Sequence, residues 1–190
     1  MINSTTLPVG NLSVRLLYVD AGTVSFSGGK IFVDEPFYIG ARPLTAGHWI
    51  EILGAIPSGK CSATEPLVGI NWFEAIAFSS ELGRQTGNLD LSLPTLGQFL
   101  LAIRQRGVDS SPQTDSFQLN VEFEWCLDKA GDIPHQHVVE NVVPRGTKGT
   151  AWVVKSNSTE PTYRPLHDRS TDISFRLCLP ASRRMAAIVQ

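Results

Sequence analysis

Two histidines, His135 and His137, have the spacing in this 190-residue chain that comes nearest to a metal site. Side chains two positions apart on an extended segment face the same side, and imidazole is a common ligand of zinc, copper and iron. Asp128, Asp132 or Glu140 could supply a third ligand. Because this spacing matches no established metal motif, we interpret the pair as surface-loop histidines and expect no metal.

The three cysteines, Cys61, Cys126 and Cys178, could act as nucleophiles, as metal ligands or as buried apolar groups. They are widely spread and odd in number, a distribution typical of reduced thiols and not of a disulfide framework. Free cysteine is among the residue types most often buried. We therefore predict that Cys126 and Cys178 are small buried hydrophobic groups.

The segment WVVKSNSTEPTYRPLHDRST, residues 152–171, combines hydrogen-bonding side chains with two aromatic rings. Such a mixture is typical of recognition surfaces, in which rigid aromatic area and adaptable polar groups contact the partner. The alternative is an ordinary polar surface loop. The residues that we predict to bind a ligand are Trp152, Asn157, Thr159, Tyr163, Arg164 and His167. Arg176, further along, is predicted instead to join a partly buried ion pair or hydrogen-bond network.

Two capped helices are predicted between Pro66 and Gly107. Asn71 caps the first, and Glu74 reaches back to the cap residue; Thr95 and Gln98 repeat this arrangement in the second. Apolar residues at helical spacing follow each cap, so both helices should bury one face, and Gly107 should end the second. The faces are formed by Trp72, Ala75, Ile76 and Ser79, and by Leu96, Phe99, Leu100 and Ile103.

Short strands are predicted at both ends of the chain and in its irregular second half. A further short helix, Thr45–Leu53, should bury Trp49, Ile50 and Leu53 on one side. The final strand, Asp172–Leu179, should alternate its two faces and pair with the N-terminal sheet. This order of elements indicates an α+β fold. The other strands are Val14–Val19, Thr23–Phe26, Ile31–Val33, Phe37–Ile39, Leu119–Leu127, and pieces at Val138–Val139, Val142–Val143 and Ala151–Val154.

Composition limits the class of protein and of partner. With 42% hydrophobic and 18% charged residues, the chain suits one domain over residues 1–190, with a tail at 181–190. A net charge of -2 and a pI near 6.1 indicate no nucleic-acid partner, which would need clustered Lys and Arg. The start MINSTTLPVGNLSVRLL is not a signal peptide, and no stretch reaches membrane-spanning length. We therefore expect a soluble cytoplasmic protein without a membrane partner.

Seven segments occur in an order that resembles the formylglycine-generating enzyme, or sulfatase-modifying factor, family. They are VDAGTV, FYIGARPLTAGHWIEIL, PLVGINWFEAIAFSSELG, LSLPTLGQFLLAIRQRG, NVEFEWCLD, PRG at Pro144–Gly146, and DISFRLCL. The resemblance covers nearly the whole chain. It implies a variant of the C-type lectin fold, with two or three helices against short antiparallel sheets connected by long loops.

The resemblance also identifies residues that catalytic members need. Formylglycine-generating enzymes hold copper on a cysteine pair between the RG segment and the closing FR strand, and residues 147–173 contain no cysteine. Sulfoxide synthases take their iron ligands largely from an extra helical domain, for which this chain has no room. Asn120 and Glu124 are candidates for the calcium ligands of the family, but NVEFEW has an extra residue relative to its pattern. We therefore expect no cofactor, and neither copper nor calcium.

These observations favour a non-catalytic ligand- or protein-binding module on this scaffold. It would resemble the variable proteins of diversity-generating retroelements or a recognition component of a conflict system. We expect a protein or peptide ligand, with a place in a hetero-complex as a second arrangement. Arg164 is also a candidate for the scaffold arginine that the family places between RG and FR. The alternative function is a metal-dependent oxidoreductase of the same family with an altered site.

Overall fold

The computed structural model describes residues 4–27, 29–56, 62–106, 121–129, 138–140, 149–155 and 160–182. Within them lie three helices: α1, Ala46–Leu53; α2, Trp72–Thr86; and α3, Leu96–Arg106. The strands are β1 Ser4–Val9, β2 Leu12–Val19, β3 Gly22–Phe26, β4 Gly29–Val33, β5 Phe37–Gly40, β6 Phe123–Lys129, β7 Val138–Glu140, β8 Thr150–Lys155, β9 Pro161–Pro165, β10 Ile173–Ser174 and β11 Cys178–Pro180. Outside the described residues lie Cys61, Asn120, Asp132, His135, His137, Val142–Val143, Pro144–Gly146, Asn157 and Thr159.

The strands form three small sheets, in the orders β1-β2-β5-β11, β10-β6-β8-β9 and β3-β4-β7. All pairs are antiparallel except β10 with β6. At the start of the chain, β1 pairs with β2 and β3 with β4, so the turn at Asp20–Gly22 separates two sheets and does not close a hairpin. Strand β1 was not predicted from the sequence. The elements are those of an α+β fold, as predicted.

The predicted caps of the two longer helices are confirmed. At α2 the Asn71 side chain accepts the Glu74 N–H and the Glu74 carboxylate accepts the Asn71 N–H, both at 3.0 Å. Gly87 ends α2 with φ of 72°, a left-handed conformation that glycine adopts at no steric cost. At α3, Thr95 and Gln98 exchange the corresponding bonds at 2.8 and 3.2 Å. The predicted stop at Gly107 lies outside the described residues.

The burial predicted for α1 is wrong for two residues. Trp49 is buried and stacks on Phe78 of α2 with ring centroids 5.1 Å apart, but Ile50 and Leu53 are 42% and 43% exposed. The first turn of α1 is covered because the Ala46 and Gly47 N–H groups donate to carbonyls of the segment before α2. The second turn extends past that cover, which leaves Ile50 and Leu53 in solvent.

The predicted final strand is divided between two sheets. β10 pairs with β6 and β11 pairs with β5, so pairing with the N-terminal sheet is confirmed. Residues 173–179 are all buried. The predicted two faces are present: Ile173, Phe175, Leu177 and Leu179 pack in one hydrophobic cluster, and Cys178 packs in the other. Between the two strands the backbone pairs with the end of β5 and the residues after it: the Gly40 N–H donates to Leu177 O and the Leu44 N–H to Phe175 O, at 2.8 and 2.9 Å.

The sheet β10-β6-β8-β9 lies between two hydrophobic clusters. Alternate residues of β6 and β8 point to opposite faces. One face contributes Phe123, Trp125, Ala151 and Val153 to the cluster that includes α1 and α2. The other face contributes Cys126, Trp152 and Val154 to the cluster that includes α3. Strand β9 lies at the edge of this sheet and carries Tyr163 and Arg164 of the predicted binding residues, while Trp152 lies on β8 and His167 follows β9.

Candidate functional site

Strand β9 is an edge strand whose outer side is poorly suited to pairing with another strand. The Leu166 N–H donates inward to Gly149 O at 2.9 Å, so by alternation the backbone of Pro161, Tyr163 and Pro165 faces outward. Proline has no N–H, which leaves one outward donor, on Tyr163. Prolines at an edge in this way prevent unwanted strand addition. Contacts with a partner at β9 would therefore be made by side chains.

Tyr163 presents the exposed ring of this strand. Its ring lies edge-on to that of Trp152, with centroids 6.0 Å apart, and Tyr163 is 42% exposed. Trp152 itself is 2% exposed and belongs to the core cluster around α3. The expectation that Trp152 offers aromatic area to a ligand is thus corrected. The Trp152 ring is covered by the core and packs against the Tyr163 ring from the buried side.

Arg164 lies on the other face of β9 from Tyr163. Its Cζ is 4.8 Å from the centroid of the Phe123 ring, and its Nη2 is 3.6 Å from Asp172 Oδ2. The guanidinium is therefore half-buried against an aromatic face and beside a carboxylate. Arg164 and Tyr163, which the sequence placed in one site, are on opposite sides of the strand.

After β9 the chain packs against the first turn of α2. Three successive residues of α2 contact the segment 166–169 in chain order. The Trp72 N–H donates to Leu166 O at 3.1 Å, the Phe73 and His167 ring centroids are 5.0 Å apart, and Arg169 Nη2 lies 2.7 Å from Glu74 Oε1. His167 is thereby placed on a rigid helix terminus.

Four groups contact one another in sequence, and we name them the aromatic row: Lys129, Trp72, Phe73 and His167. The Lys129 ammonium lies 5.1 Å from the centroid of the Trp72 ring, and Trp72 and Phe73 meet edge to face at 5.4 Å. Trp72 is buried, and its indole N–H donates to Cys126 O at 2.9 Å. Phe73 is 42% exposed and His167 is exposed. Aromatic area is thus presented to solvent from a fixed base.

Glu74 connects this surface to the cap of α2. One carboxylate oxygen, Oε2, accepts the Asn71 N–H, and the other, Oε1, lies 2.7 Å from Arg169 Nη2. The cap that begins the helix therefore also orients Arg169. Asp168 Oδ1 accepts the Ser170 N–H at 2.9 Å, which closes the turn between His167 and the following residues.

The described thiols are unsuited to catalysis. Cys126 and Cys178 are buried, as predicted. Burial raises the pKa of both, and for Cys126 the neighbouring Asp128 and Glu124 raise it further. Because the thiolate is the nucleophile and the metal ligand, these groups are inert near neutral pH.

Two metal hypotheses can be compared with the described residues. Glu124, the candidate calcium ligand, is fully buried and ion-paired with Arg176, while its partner Asn120 lies outside the described residues. In the part of the chain that the structure describes, no group of three or more His, Cys, Asp and Glu side chains could hold a metal ion. His135 and His137, on which the oxidoreductase alternative depends, lie outside that part.

The sequence predicted His167 as a binding residue but missed its ring contact with Phe73 and the contact of Lys129 with Trp72. Adjacent residues on a helix point about 100° apart. In the Trp72–Phe73 pair, therefore, only one ring could face the core, and this was a usable signal that the other is exposed. The contacts of Lys129 and Arg169 depend on tertiary packing, for which the sequence holds no local signal.

Comparison with solved structures shows the same fold at low sequence identity. Treponema denticola variable protein 1 matches with a TM-score of 0.66 and 16% identity, covering 94% of this chain and 99% of that chain. PvdO from Pseudomonas aeruginosa gives 0.67 and 11%, covering 93% and 98%. CarF gives 0.61 and 16%, covering 88% and 98%. The predicted α+β fold, a C-type lectin fold of the formylglycine-generating-enzyme type, is therefore confirmed.

No protein-family model and no curated protein matches the sequence. Among the described helices, none combines the length and the apolar character needed to cross a membrane.

Proposed function

We propose that this chain is a non-catalytic binding module, and that the exposed members of the aromatic row, Phe73 and His167, together with Arg169 form its ligand-contacting surface. The observation that carries the proposal is the set of contacts between residues 166–169 and the first turn of α2: a backbone hydrogen bond, a ring contact and an ion pair. It holds exposed Phe73 and His167 in one arrangement. A surface that is ordered before binding loses less conformational entropy when the ligand arrives.

The ligand that fits this surface is a protein or peptide. Phe73 supplies exposed aromatic area, while His167 and Arg169 supply polar contacts around it, the combination that concentrates binding energy at protein interfaces. The prolines of β9 disfavour main-chain pairing along that edge. Recognition would therefore depend on side chains, which can be exchanged without disturbing the strands beneath.

The comparisons support a recognition role through the scaffold. One neighbour with this fold carries the name variable protein, and the exposed side chains of the proposed surface, Phe73, His167 and Arg169, lie outside the two core clusters. Substitution of His167 or Arg169 would leave the packing of both clusters in place. We propose the chain as a recognition component of this kind, acting alone or within a hetero-complex.

Selection from a displayed random-peptide library against the immobilised full chain tests the proposal. We expect selected peptides to bind the Phe73→Ala and Arg169→Ala variants at least about tenfold more weakly than the wild type, since contacts at the centre of an interface carry ~1.4 kcal/mol or more. Circular dichroism and thermal unfolding of each variant establish that it is folded.

Leu89→Ala is the matched control. Leu89 is 76% exposed and follows the C-terminal end of α2, whereas Phe73 lies in its first turn. A 15-residue helix separates the two by about 20 Å. Binding that is unaffected by Phe73→Ala and Arg169→Ala, or that is lost equally in Leu89→Ala, would overturn the proposal.

A further inference from the structure

A second feature of the molecule lies at the start of α1, away from the aromatic row. A groove of about 530 Å³ opens between the turn of the β1–β2 hairpin, the residues after β5 and the first turn of α1. Its polar lining residues are Asn11, Ser13, Arg42, Thr45, His48 and Thr64. Of the residues predicted to bind a ligand, the four that the structure describes, Trp152, Tyr163, Arg164 and His167, do not line it. His48 is half-buried in its wall.

His48 occupies the position in the α1 cap that Glu or Gln normally fills. Its own N–H donates to Thr45 Oγ1 at 3.4 Å, and its ring Nδ1 lies 3.2 Å from the Thr45 backbone N and 2.7 Å from Thr45 Oγ1. A backbone N–H can only donate, so Nδ1 must present its lone pair to Thr45. The proton of the neutral ring is therefore on Nε2, which donates to Ser13 O at 3.3 Å.

Protonation of the ring would affect only one side of this arrangement. The Nε2–H bond to Ser13 O is made by both the neutral and the charged imidazole. At Nδ1 a new proton would face the Thr45 backbone N–H, and that bond would be lost. The Thr45 hydroxyl could reverse its role from donor to acceptor, but the backbone N–H could not. The α1 cap would thus lose the bond from the Thr45 backbone N–H to His48 Nδ1, which is one of the two reciprocal bonds of its capping box.

The surroundings of His48 favour the neutral ring. Burial lowers its pKa from the usual 6.5, against a smaller opposing effect of the hydrogen bond to Ser13. Of the described residues that line the groove, Arg42 is the other ionisable one. Among the described residues of the segments that form the groove, the further charged groups are Arg15, Glu51 and Glu65, which hydrogen-bond Ser4, Asn11 and Ser62 respectively.

We infer that His48 is a pH-sensitive latch: the neutral ring closes the α1 cap and ties it to the β1–β2 hairpin, and protonation opens the cap beside the groove. The structure next to Thr45 would loosen first. The Ala46 and Gly47 N–H groups, which donate to Glu65 O and Ala63 O, join α1 to the other wall of the groove. Loss of the cap would therefore weaken the backbone hydrogen bonds that join α1 to that wall.

The direction of the pH effect follows from the proton count. The folded state disfavours the proton on His48, so below the usual pKa of 6.5 the unfolded chain binds more protons than the folded chain. Stability from the cap is therefore complete above that pH and is lost as the pH falls below it.

Two measurements on the full chain test the latch. Nitrogen-15 NMR of the histidine rings should show His48 as the Nε2–H tautomer at about pH 8, titrating at lower pH than an exposed histidine. Amide hydrogen exchange, corrected for the intrinsic rate, should show Thr45, Ala46 and Gly47 losing about fivefold of their protection at about pH 5, as expected for one hydrogen bond.

His48→Gln is the matched variant because a glutamine oxygen can accept the Thr45 N–H and does not titrate. It should keep the protection of these three amides at both pH values, although the other histidines still titrate. An Nδ1–H tautomer, wild-type protection that is unchanged with pH, or an equal loss in His48→Gln would each overturn the proposal.

Discussion

The guanidinium of Arg176 and the carboxylate of Glu124 form an ion pair in which both side chains are 0% exposed. Arg176 Nε donates to Glu124 Oε2 at 2.7 Å, and Nη2 contacts Oε1. Nη1 donates to Gly40 O at 2.9 Å, and Cζ lies 5.1 Å from the Phe99 ring centroid. One side chain thus joins β6, β5 and α3, where the chain crosses between two sheets.

We predict that removing one partner of this pair destabilises the protein severely. Glu124→Gln or Arg176→Met should lower the free energy of unfolding by about 3–5 kcal/mol, because the remaining charge is buried without a counter-charge. Urea unfolding followed by circular dichroism measures the change.

The double variant Glu124→Gln/Arg176→Met is the control, since it buries no isolated charge. It should be more stable than the sum of the two single changes predicts. Arg84→Ala, at the exposed pair with Glu81, should leave stability nearly unchanged. Additive losses, or single variants as stable as the wild type, would contradict the role assigned to the pair.

The sequence predicted what is locally encoded. The caps at Asn71 and Thr95, the four predicted strands between residues 14 and 39 and the ion pairing of Arg176 are all confirmed. The division of the last strand was missed because it depends on the pairing of Phe175 and Leu177 with the distant segment after β5. Such long-range backbone bonds leave no trace in local periodicity.

The candidate site was predicted only in part for the same reason. Exposed Tyr163 and His167 were identified from composition, but composition does not reveal on which face of β9 a side chain lies. The pairing of β9 and the contact of Arg164 with Phe123 show that Arg164 and Tyr163 lie on opposite faces of the strand, and Trp152 lies in the core. Asn157 and Thr159 remain predictions.

We predict that the two described cysteines are unreactive in the folded protein. Cys126 and Cys178 are buried with raised pKa values, so few thiolates form and reagent cannot reach them. In a Cys61→Ser variant, Ellman's reagent at neutral pH should therefore detect no rapidly reacting thiol under native conditions and two in concentrated urea. A thiol that reacts rapidly under native conditions would contradict this prediction and favour a function based on thiol chemistry.

The Glu81 carboxyl should titrate at unusually low pH. Its pKa is lowered from 4.5 to about 2, chiefly by the hydrogen bonds from Arg84 and then by that from Gln85. The folded state favours the carboxylate, so the stability this group contributes is present above pH 4.5 and is lost as the pH falls toward 2. The contribution is small because the pair is exposed and screened by solvent.

NMR titration of the Glu81 side chain checks this, and Arg84→Ala should raise its pKa toward 4.5. Salt at about 1 M should act in the same direction, since it screens an exposed pair. A wild-type Glu81 that titrates like a free glutamate would show that the pair does not persist in solution.

Gly97 in the first turn of α3 allows that helix to approach β4 closely, and Gly97→Ala should therefore destabilise the protein. A Cβ at this position would lie 2.6 Å from Ile31 Cγ2 and 3.2 Å from Val33 Cγ2, on side chains that branch at Cβ and have little freedom to move. Overpacking costs about 1–3 kcal/mol, whereas alanine gains at most ~1 kcal/mol over glycine in a helix.

The two effects oppose each other. Because the cost of overpacking is the larger, Gly97→Ala should lower the free energy of unfolding, measured with urea, by up to about 2 kcal/mol. A double-mutant cycle with Ile31→Ala isolates the cause, because Ile31→Ala removes the Cγ2 atom that an added Cβ would strike. In the Ile31→Ala background, Gly97→Ala should cost less than in the wild type and can become stabilising. Equal costs in the two backgrounds would mean that Gly97 serves the backbone conformation of the first turn and not the approach of α3 to β4.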